Sequence, residues 1–178
     1  MKFLIASDIH GSNANAKRVV QIFREEKADK LILLGDVFNH GPRNPLPEEY
    51  APMEVAKVFN DIKKDLIVIK GNCDSEVDTM ISEFDFLDNA CIVVNGKTLF
   101  LTHGHVYNKD KMPKTDFDAL IYGHFHTGFI EKVGDKIVAN AGSTSLPKNN
   151  TKQSYLLLDE DILYLKDIDK NVIDKIKI

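Results

Sequence analysis

Only two cysteines occur in the sequence, Cys73 and Cys91, too few for a disulfide framework. No apolar run approaches the ~20 residues that a membrane span needs. No signal peptide is evident, because Met1-Lys2 leads directly into an apolar strand pattern. Basic residues are not in excess: the net charge is -4, which argues against a nonspecific nucleic-acid binder. Domain boundaries, internal repeats and low-complexity tracts are missing as well. What remains is a 178-residue chain, 43% hydrophobic and 28% charged, which reads as one globular domain over residues 1–178. A reducing cytoplasm and no membrane are expected.

The chain is organised around Leu31-Ile32-Leu33-Leu34-Gly35-Asp36, a short buried strand that delivers a carboxylate at its carboxyl end. Ligands bind at that end of strands in open α/β sheets. Two other apolar runs finish the same way: Phe3–Ala6 leads into Ser7-Asp8-Ile9-His10, and Leu66–Ile69 into Gly71-Asn72-Cys73-Asp74. Between the first two strands, Ser12 or Asn13 can cap a helix whose apolar face is Ala16, Val19, Val20 and Phe23. This predicts an opening β-α-β unit with a parallel strand pair. The Pro-rich stretch 39–52 reads as an ordered loop above the strand ends. A second helix is predicted near 53–64, and Ser75-Glu76-Val77-Asp78 resembles a capping box.

The second half changes character. Asn95-Gly96, Gly134-Asp135 and Glu160-Asp161 each sit between strand-like runs and predict hairpins. Ala119–Tyr122 is a further short strand ending at Gly123-His124-Phe125-His126. The expected architecture is α/β: two packed mixed sheets with helices on the outer faces.

Polar residues collect at the strand ends: Asp8, His10, Asp36, Asn72, His103, His124 and His126. Four of the chain's six histidines are in this set. One histidine at a strand end is ordinarily a hydrogen-bonded group, and one aspartate a helix cap; the whole set together points to metal. In Asp8-Ile9-His10 and His124-Phe125-His126 the paired residues are two apart, so in an extended segment both would face one site. Imidazole and carboxylate without thiolate suit manganese, iron, zinc or nickel and argue against a structural zinc site. Seven ligands exceed one tetrahedral ion, and two ions sharing Asp36 would account for the number. Two divalent ions less the charges of Asp8 and Asp36 leave a positive excess that matches a bridging hydroxide and one phosphodiester anion.

These blocks, Asp8-Ile9-His10, Gly35-Asp36, Gly71-Asn72-Cys73-Asp74, His103-Gly104 and Gly123-His124-Phe125-His126, resemble the five signatures of the calcineurin-like metallophosphoesterases. Within that family the stretches 35–44 and 71–78 are similar to the YfcE-type phosphodiesterases. The resemblance runs over residues 2 to 158. It implies a four-layer α-β-β-α sandwich with a dinuclear site, commonly manganese. One ion would take Asp8, His10, Asp36 and His126; the other would take Asp36, Asn72, His103 and His124. The catalytic group it implies is Asp36, Asn72, Cys73 and His103. Two departures weaken the case for a protein phosphatase. Cys73 stands where many members have a histidine that protonates the leaving group or touches the phosphate, and Asn39-His40 where phosphoprotein phosphatases have aspartate-arginine.

The expected activity is therefore hydrolysis of a small-molecule phosphodiester. The alternatives are a silent scaffold on the same fold, a phosphomonoesterase, or a nuclease, the last disfavoured by the acidic balance. A monoester would bring a second negative charge for which no extra cation is evident. His40, Arg43, Asn72 and His105 are candidate substrate contacts. Asn140-Ala141-Gly142-Ser143 is a candidate source of backbone N–H groups near the site. Cys73 is expected to be a small buried group with an unshifted thiol. The segment Val172 to Ile178 is read as an edge strand or as a contact in a homo-oligomer, a dimer or tetramer.

Overall fold

The computed structural model describes residues 1–178. In chain order its elements are β1 (Phe3–Ala6), α1 (Asn13–Glu25), β2 (Lys30–Leu33), α2 (Pro52–Asn60), β3 (Leu66–Ile69), β4 (Phe86–Leu87), β5 (Asn89–Val94), β6 (Lys97–Thr102), β7 (Ala119–Tyr122), β8 (Phe129–Val133), β9 (Lys136–Asn140), β10 (Ser154–Asp159), β11 (Ile162–Asp167) and β12 (Val172–Lys177). They form a seven-stranded sheet, β12-β11-β10-β1-β2-β3-β4, and a five-stranded sheet, β5-β6-β7-β9-β8. No helix is long and apolar enough to cross a membrane.

The alternation of side chains across each strand divides the core into layers. Phe3, Ile5, Ile32 and Ile69 face Leu99, Leu101, Ala119 and Ile121 of the second sheet and fill the space between the sheets. Leu4, Ala6, Leu31, Leu33 and Val68 point the other way and are covered by Ala16, Val19, Val20 and Phe23 of α1 and by Val55 and Phe59 of α2. Ser12 caps α1, its hydroxyl accepting the Asn15 N–H at 3.3 Å. The opening β-α-β unit is thus built as expected, with β1, β2 and β3 parallel. On the outer face of the five-stranded sheet the covering layer is irregular. Tyr107, Met112 and Phe117, from the connection after β6, pack on Phe100, Leu120, Tyr122 and Val138 where a helix was expected.

Two sequence expectations change in detail. The second helix ends at Asn60 and is followed by a 3-10 turn at Lys63–Asp65. The second half is not simply a series of antiparallel hairpins: β7 lies parallel to both β6 and β9, with the β5–β6 and β8–β9 hairpins at the edges. All four residues of β7 are buried, as expected of a strand covered on both faces. β12 is an edge strand, with Val172 and Ile173 about half exposed.

Candidate metal centre and active site

The parallel strands of both sheets present their carboxyl ends to one place. From the first sheet come Asp8 and His10 after β1, Asp36 after β2, and Asn72 and Cys73 after β3. From the second come His103 after β6, and His124 and His126 after β7. The β1–β2 ladder runs on past the strands. The amides of Asp8, His10 and Gly11 donate to the carbonyls of Gly35, Asp36 and Val37 at 3.1, 2.8 and 2.9 Å, which locks the two ligand-bearing loops together.

Asp8, His10, Asp36, His124 and His126 all have φ between 53° and 66°. A left-handed conformation is uncommon for residues with a Cβ, and such strain clusters at functional sites. It also alters the expected geometry: each Asp/His pair and His/His pair reaches one site through a tight turn rather than an extended segment. The turns need small neighbours. A Cβ on Gly71 would lie 2.2 Å from Asp36 Oδ1, and one on Gly123 would lie 1.9 Å from Ser7 Oγ.

Three imidazoles are oriented by backbone carbonyls. His10 Nδ1 donates to Asn39 O at 2.7 Å, His103 Nδ1 to Leu34 O at 2.7 Å, and His126 Nδ1 to Leu146 O at 2.6 Å. A carbonyl only accepts, so the proton is on Nδ1 and each Nε2 turns a lone pair inward. There His10 Nε2 and His126 Nε2 lie 3.1 Å apart, with Asp8 Oδ1 at 3.6 and 3.2 Å from them. His103 Nε2 sits 3.2 Å from His124 Nδ1 and 3.0 Å from Asn72 Oδ1. Asp36 Oδ2 lies 3.7 Å from His10 Nε2 and 3.5 Å from His103 Nε2. Two sets of side chains, Asp8/His10/His126 and Asp36/His103/His124, therefore converge closely enough to hold a cation, and a third grouping, His10/Asp36/Cys73, brings a thiol to the same place.

The donor set fits a divalent metal. Converging lone pairs repel unless a proton or a cation sits among them, and Asp8 Oδ1 is buried with no hydrogen-bond partner. The charge logic agrees. Burial opposes ionisation of Asp8, but His10 and His126 hold its carboxyl well below the usual range. Burial lowers His103, but Asp36 pushes it up to about 9. His124 is pulled down to about 4, by burial and then by His103. The cluster thus draws positive charge to its carboxylates. The nitrogen and oxygen donors of the two sets Asp8/His10/His126 and Asp36/His103/His124 suit manganese, iron, zinc or nickel.

Residues behind the candidate ligands fix their aim. The Asp74 carboxylate accepts the N–H groups of Asp36 at 2.8 Å, Val37 at 2.8 Å and Gly71 at 2.7 Å, tying the loop after β2 to the loop after β3. Burial, and then Asp36, push its carboxyl up to about 6 while these amides pull it down. The stretch from Asn140 to Ser145 braces the turns that carry the candidate ligands: Asn140 donates to Gly123 O at 2.7 Å, and the hydroxyls of Ser143 and Ser145 donate to Asp8 O at 2.7 and 2.9 Å.

Over the metal-type cluster opens a cavity of about 800 Å³, lined by Arg43, Asn72, Cys73, Phe125 and Lys148 among others. Cys73 corrects one expectation. Its thiol is not unshifted: burial, and then Asp36, push it up to about 12. Arg43 lines the cavity, whereas His40 does not; the His40 ring meets Tyr50 edge-on at 5.2 Å. His105 lines a neighbouring cavity of about 490 Å³ that shares Asn72. Its ring lies 5.4 Å from that of His103, and its pKa is lowered by burial and then by His103. Sequence reasoning passed over Lys148 and Phe125. The only hint of Phe125 was its place between two ligands, and nothing in the local pattern marks Lys148. With Arg43 and Lys148 both at the cavity, the expectation that the site lacks an extra cation is also corrected.

Comparison with known proteins agrees with this geometry. The Calcineurin-like phosphoesterase superfamily domain matches residues 1–162. Phosphodiesterase YfcE of Escherichia coli (strain K12) is 44% identical over 165 residues, 92% of this chain and 90% of that protein. The solved structure of the YfcE phosphoesterase from E. coli superposes with a TM-score of 0.96 at 40% identity, covering 99% of each chain. Vps29 from Entamoeba histolytica, solved with Zn2+, superposes with a TM-score of 0.68 at 18% identity over 99% of each chain, a likeness of fold alone. The chain belongs to the calcineurin-like phosphoesterase superfamily.

Proposed function

We propose that the protein is a metal-dependent phosphodiesterase with a dinuclear site, in which Asp8, His10, Asp36 and His126 hold one divalent ion and Asp36, Asn72, His103 and His124 hold the other. The observation that carries this reading is Asp36 Oδ2, placed between His10 Nε2 and His103 Nε2 at 3.7 and 3.5 Å, where one carboxylate can serve both sets. The phosphodiesterase activity named for the E. coli relative supports the choice of substrate class. Divalent ions held by these residues would lower the pKa of bound water and neutralise phosphate charge. The chain's own contribution is positional. The carbonyls of Asn39, Leu34 and Leu146 keep three imidazoles in the ligating tautomer, and Asp74 keeps Asp36 in place. Manganese is the metal we expect, with zinc, iron or nickel as the other fits. The cytoplasm is the expected compartment, supported by two free cysteines.

A silent scaffold on this fold is the rival reading. It expects ligands to be missing, and none of the seven is. The test is to strip metal with a chelator, verify its absence by plasma mass spectrometry, and assay a diester and a monoester after reloading with each metal. Activity is expected to vanish and to return, on the diester most strongly, with manganese. Full turnover by verified metal-free protein would overturn the reading, and so would tight binding of two metals without turnover of any ester.

A further inference from the structure

Above the metal-type ligands, the cavity has a rim that cleaving a simple diester does not require. Arg43 and Lys148 line it, are exposed, and form no ion pair with a carboxylate. Asp36, itself a ligand, is the only carboxylate in the lining. Phe125 lines it too, although it is 45% exposed, and its ring packs edge-on against His124 at 5.1 Å and Tyr122 at 6.0 Å. The backbone on either side of these groups is tied down. The Lys148 amide donates to His126 O at 3.0 Å, and Asn44 Nδ2 donates to His40 O at 2.9 Å within the loop that carries Arg43. A phosphate alone would leave most of an 800 Å³ cavity to water.

We propose that this rim is a subsite for the rest of the substrate, and that the substrate is a phosphodiester carrying an aromatic ring and a second anionic group, as nucleotide-type molecules do. The proposal rests on the phosphodiesterase reading and adds the substrate class to it. Two unpaired cations beside a single, already committed carboxylate hold more positive charge than one diester anion can use, and a second phosphate or carboxylate is the complement. Arginine can take such a group with two parallel N–H bonds, while lysine acts as a point charge. The exposed face of Phe125 offers a stacking surface that tolerates any flat ring.

The test uses the full chain loaded with manganese and reads binding as well as turnover. Affinities for inorganic phosphate, adenosine 5′-monophosphate and adenosine 3′,5′-bisphosphate are measured by calorimetry at low and high salt. The bisphosphate is expected to bind the wild type about ten- to a hundred-fold more tightly than the monophosphate, the size of one or two charge-assisted hydrogen bonds. High salt should narrow that gap. Lys148→Gln combined with Arg43→Gln is expected to close it, and Phe125→Leu to weaken both adenosine probes relative to phosphate. Equal affinity for the two adenosine probes in the wild type would overturn the proposal. So would a gap that survives in the double variant, or a loss in that variant as large for the monophosphate as for the bisphosphate, which would assign the cations to the reacting phosphate. These affinities are read whether or not any ester is cleaved. Failure of the phosphodiesterase reading shows separately, as absent turnover of bis(4-nitrophenyl) phosphate by the wild type.

Discussion

Beneath the cavity, in the floor of candidate ligands, Asp8, His10, His103 and His126 are at most 2% exposed, only His126 of the four lines the cavity itself, and each is held by a hydrogen bond to a distant loop. On the rim Arg43, Phe125 and Lys148 are exposed; Arg43 and Lys148 form no ion pair, and only the Phe125 ring is packed, edge-on against His124 and Tyr122. The difference separates two tasks. Ligation demands tenths of an ångström and tolerates strain, so the floor uses left-handed residues and buried supports. Recognition of a variable substrate body demands charge and surface at modest precision, and mobile side chains supply both. If this division is right, changes on the floor should act through metal occupancy and leaving-group chemistry, and changes on the rim through substrate choice alone.

The largest effect is expected at Asp36. Asp36→Asn removes the carboxylate that lies within reach of both sets of side chains, so on the dinuclear reading it should lower metal content at both positions and cut kcat/KM further than Asn72→Ala does. Asn72→Ala should leave a countable one-metal species. Metal per chain by plasma mass spectrometry, taken alongside activity, decides this. Equal and small losses in the two variants would mean that Asp36 is not shared.

Cys73 lies between floor and rim, and comes next. Its amide donates to Asp36 Oδ1 at 2.8 Å while its thiol lines the cavity, pushed up to about 12. Such a thiol is a poor proton donor to a leaving alkoxide, whereas an imidazolium near pKa ~6.5 is a good one. General acids typically contribute ~10²–10⁴-fold. Cys73→His should therefore speed esters with poor leaving groups by about 10²-fold relative to activated aryl esters, at the lower end of that range. The quantity to compare is the ratio of kcat/KM for alkyl and aryl esters in the two proteins at matched metal occupancy. An unchanged ratio would show that position 73 does not face the leaving group.

A smaller effect is expected one step behind the ligands, at Asp74. In Asp74→Asn the amide oxygen can keep two of the three backbone donors, but its NH2 group then confronts the third. Lost supports of this kind typically cost about tenfold in metal affinity, and a hydrogen bond to a charged acceptor is worth about 1.5–3 kcal/mol. Manganese titration and the denaturation midpoint should both fall, with KM for the diester little changed. A variant with unaltered metal affinity would show that Asp36 does not depend on this brace.

Much of the floor was legible in the sequence. Short apolar runs ending in Asp or His are visible without coordinates, because buried parallel strands are nearly all apolar and any polar residue at their ends stands out. That is why the cluster of seven candidate ligands at the strand ends, the β-α-β opening and the hairpins at Asn95-Gly96 and Gly134-Asp135 could be read. The parallel core of the second sheet was not readable. β6, β7 and β9 are adjacent only through crossovers, and strand pairing across a crossover leaves no local pattern. Nor was the left-handed geometry at Asp8 and His124, since it is imposed by neighbouring loops rather than by the residues themselves. Lys148 was hidden for a related reason. It follows no strand of the site and reaches the cavity only because its amide is hydrogen-bonded to His126 O. The brace at Asp74 was half visible: the residue is in the third signature block, but its three donors come from two separate loops.

The smallest expected effect tests the other side of the comparison. Arg43 and Lys148 are exposed, form no ion pair and take no part in the three apolar clusters. Exposed substitutions of this kind usually change stability by less than about 0.5 kcal/mol, because the side chain is solvated in both the folded and the unfolded chain. Arg43→Gln and Lys148→Gln should therefore leave the urea midpoint and the transition slope within error of the wild type, and metal content per chain unchanged, even where they alter affinity for a doubly anionic probe. An unchanged slope matters as much as the midpoint, since it shows that the same surface is exposed on unfolding. A clear drop in stability or in bound metal would mean that the rim helps to hold the ligand turns in place. Floor and rim would then be one mechanical unit, and the argument that recognition can be varied independently of ligation would fail.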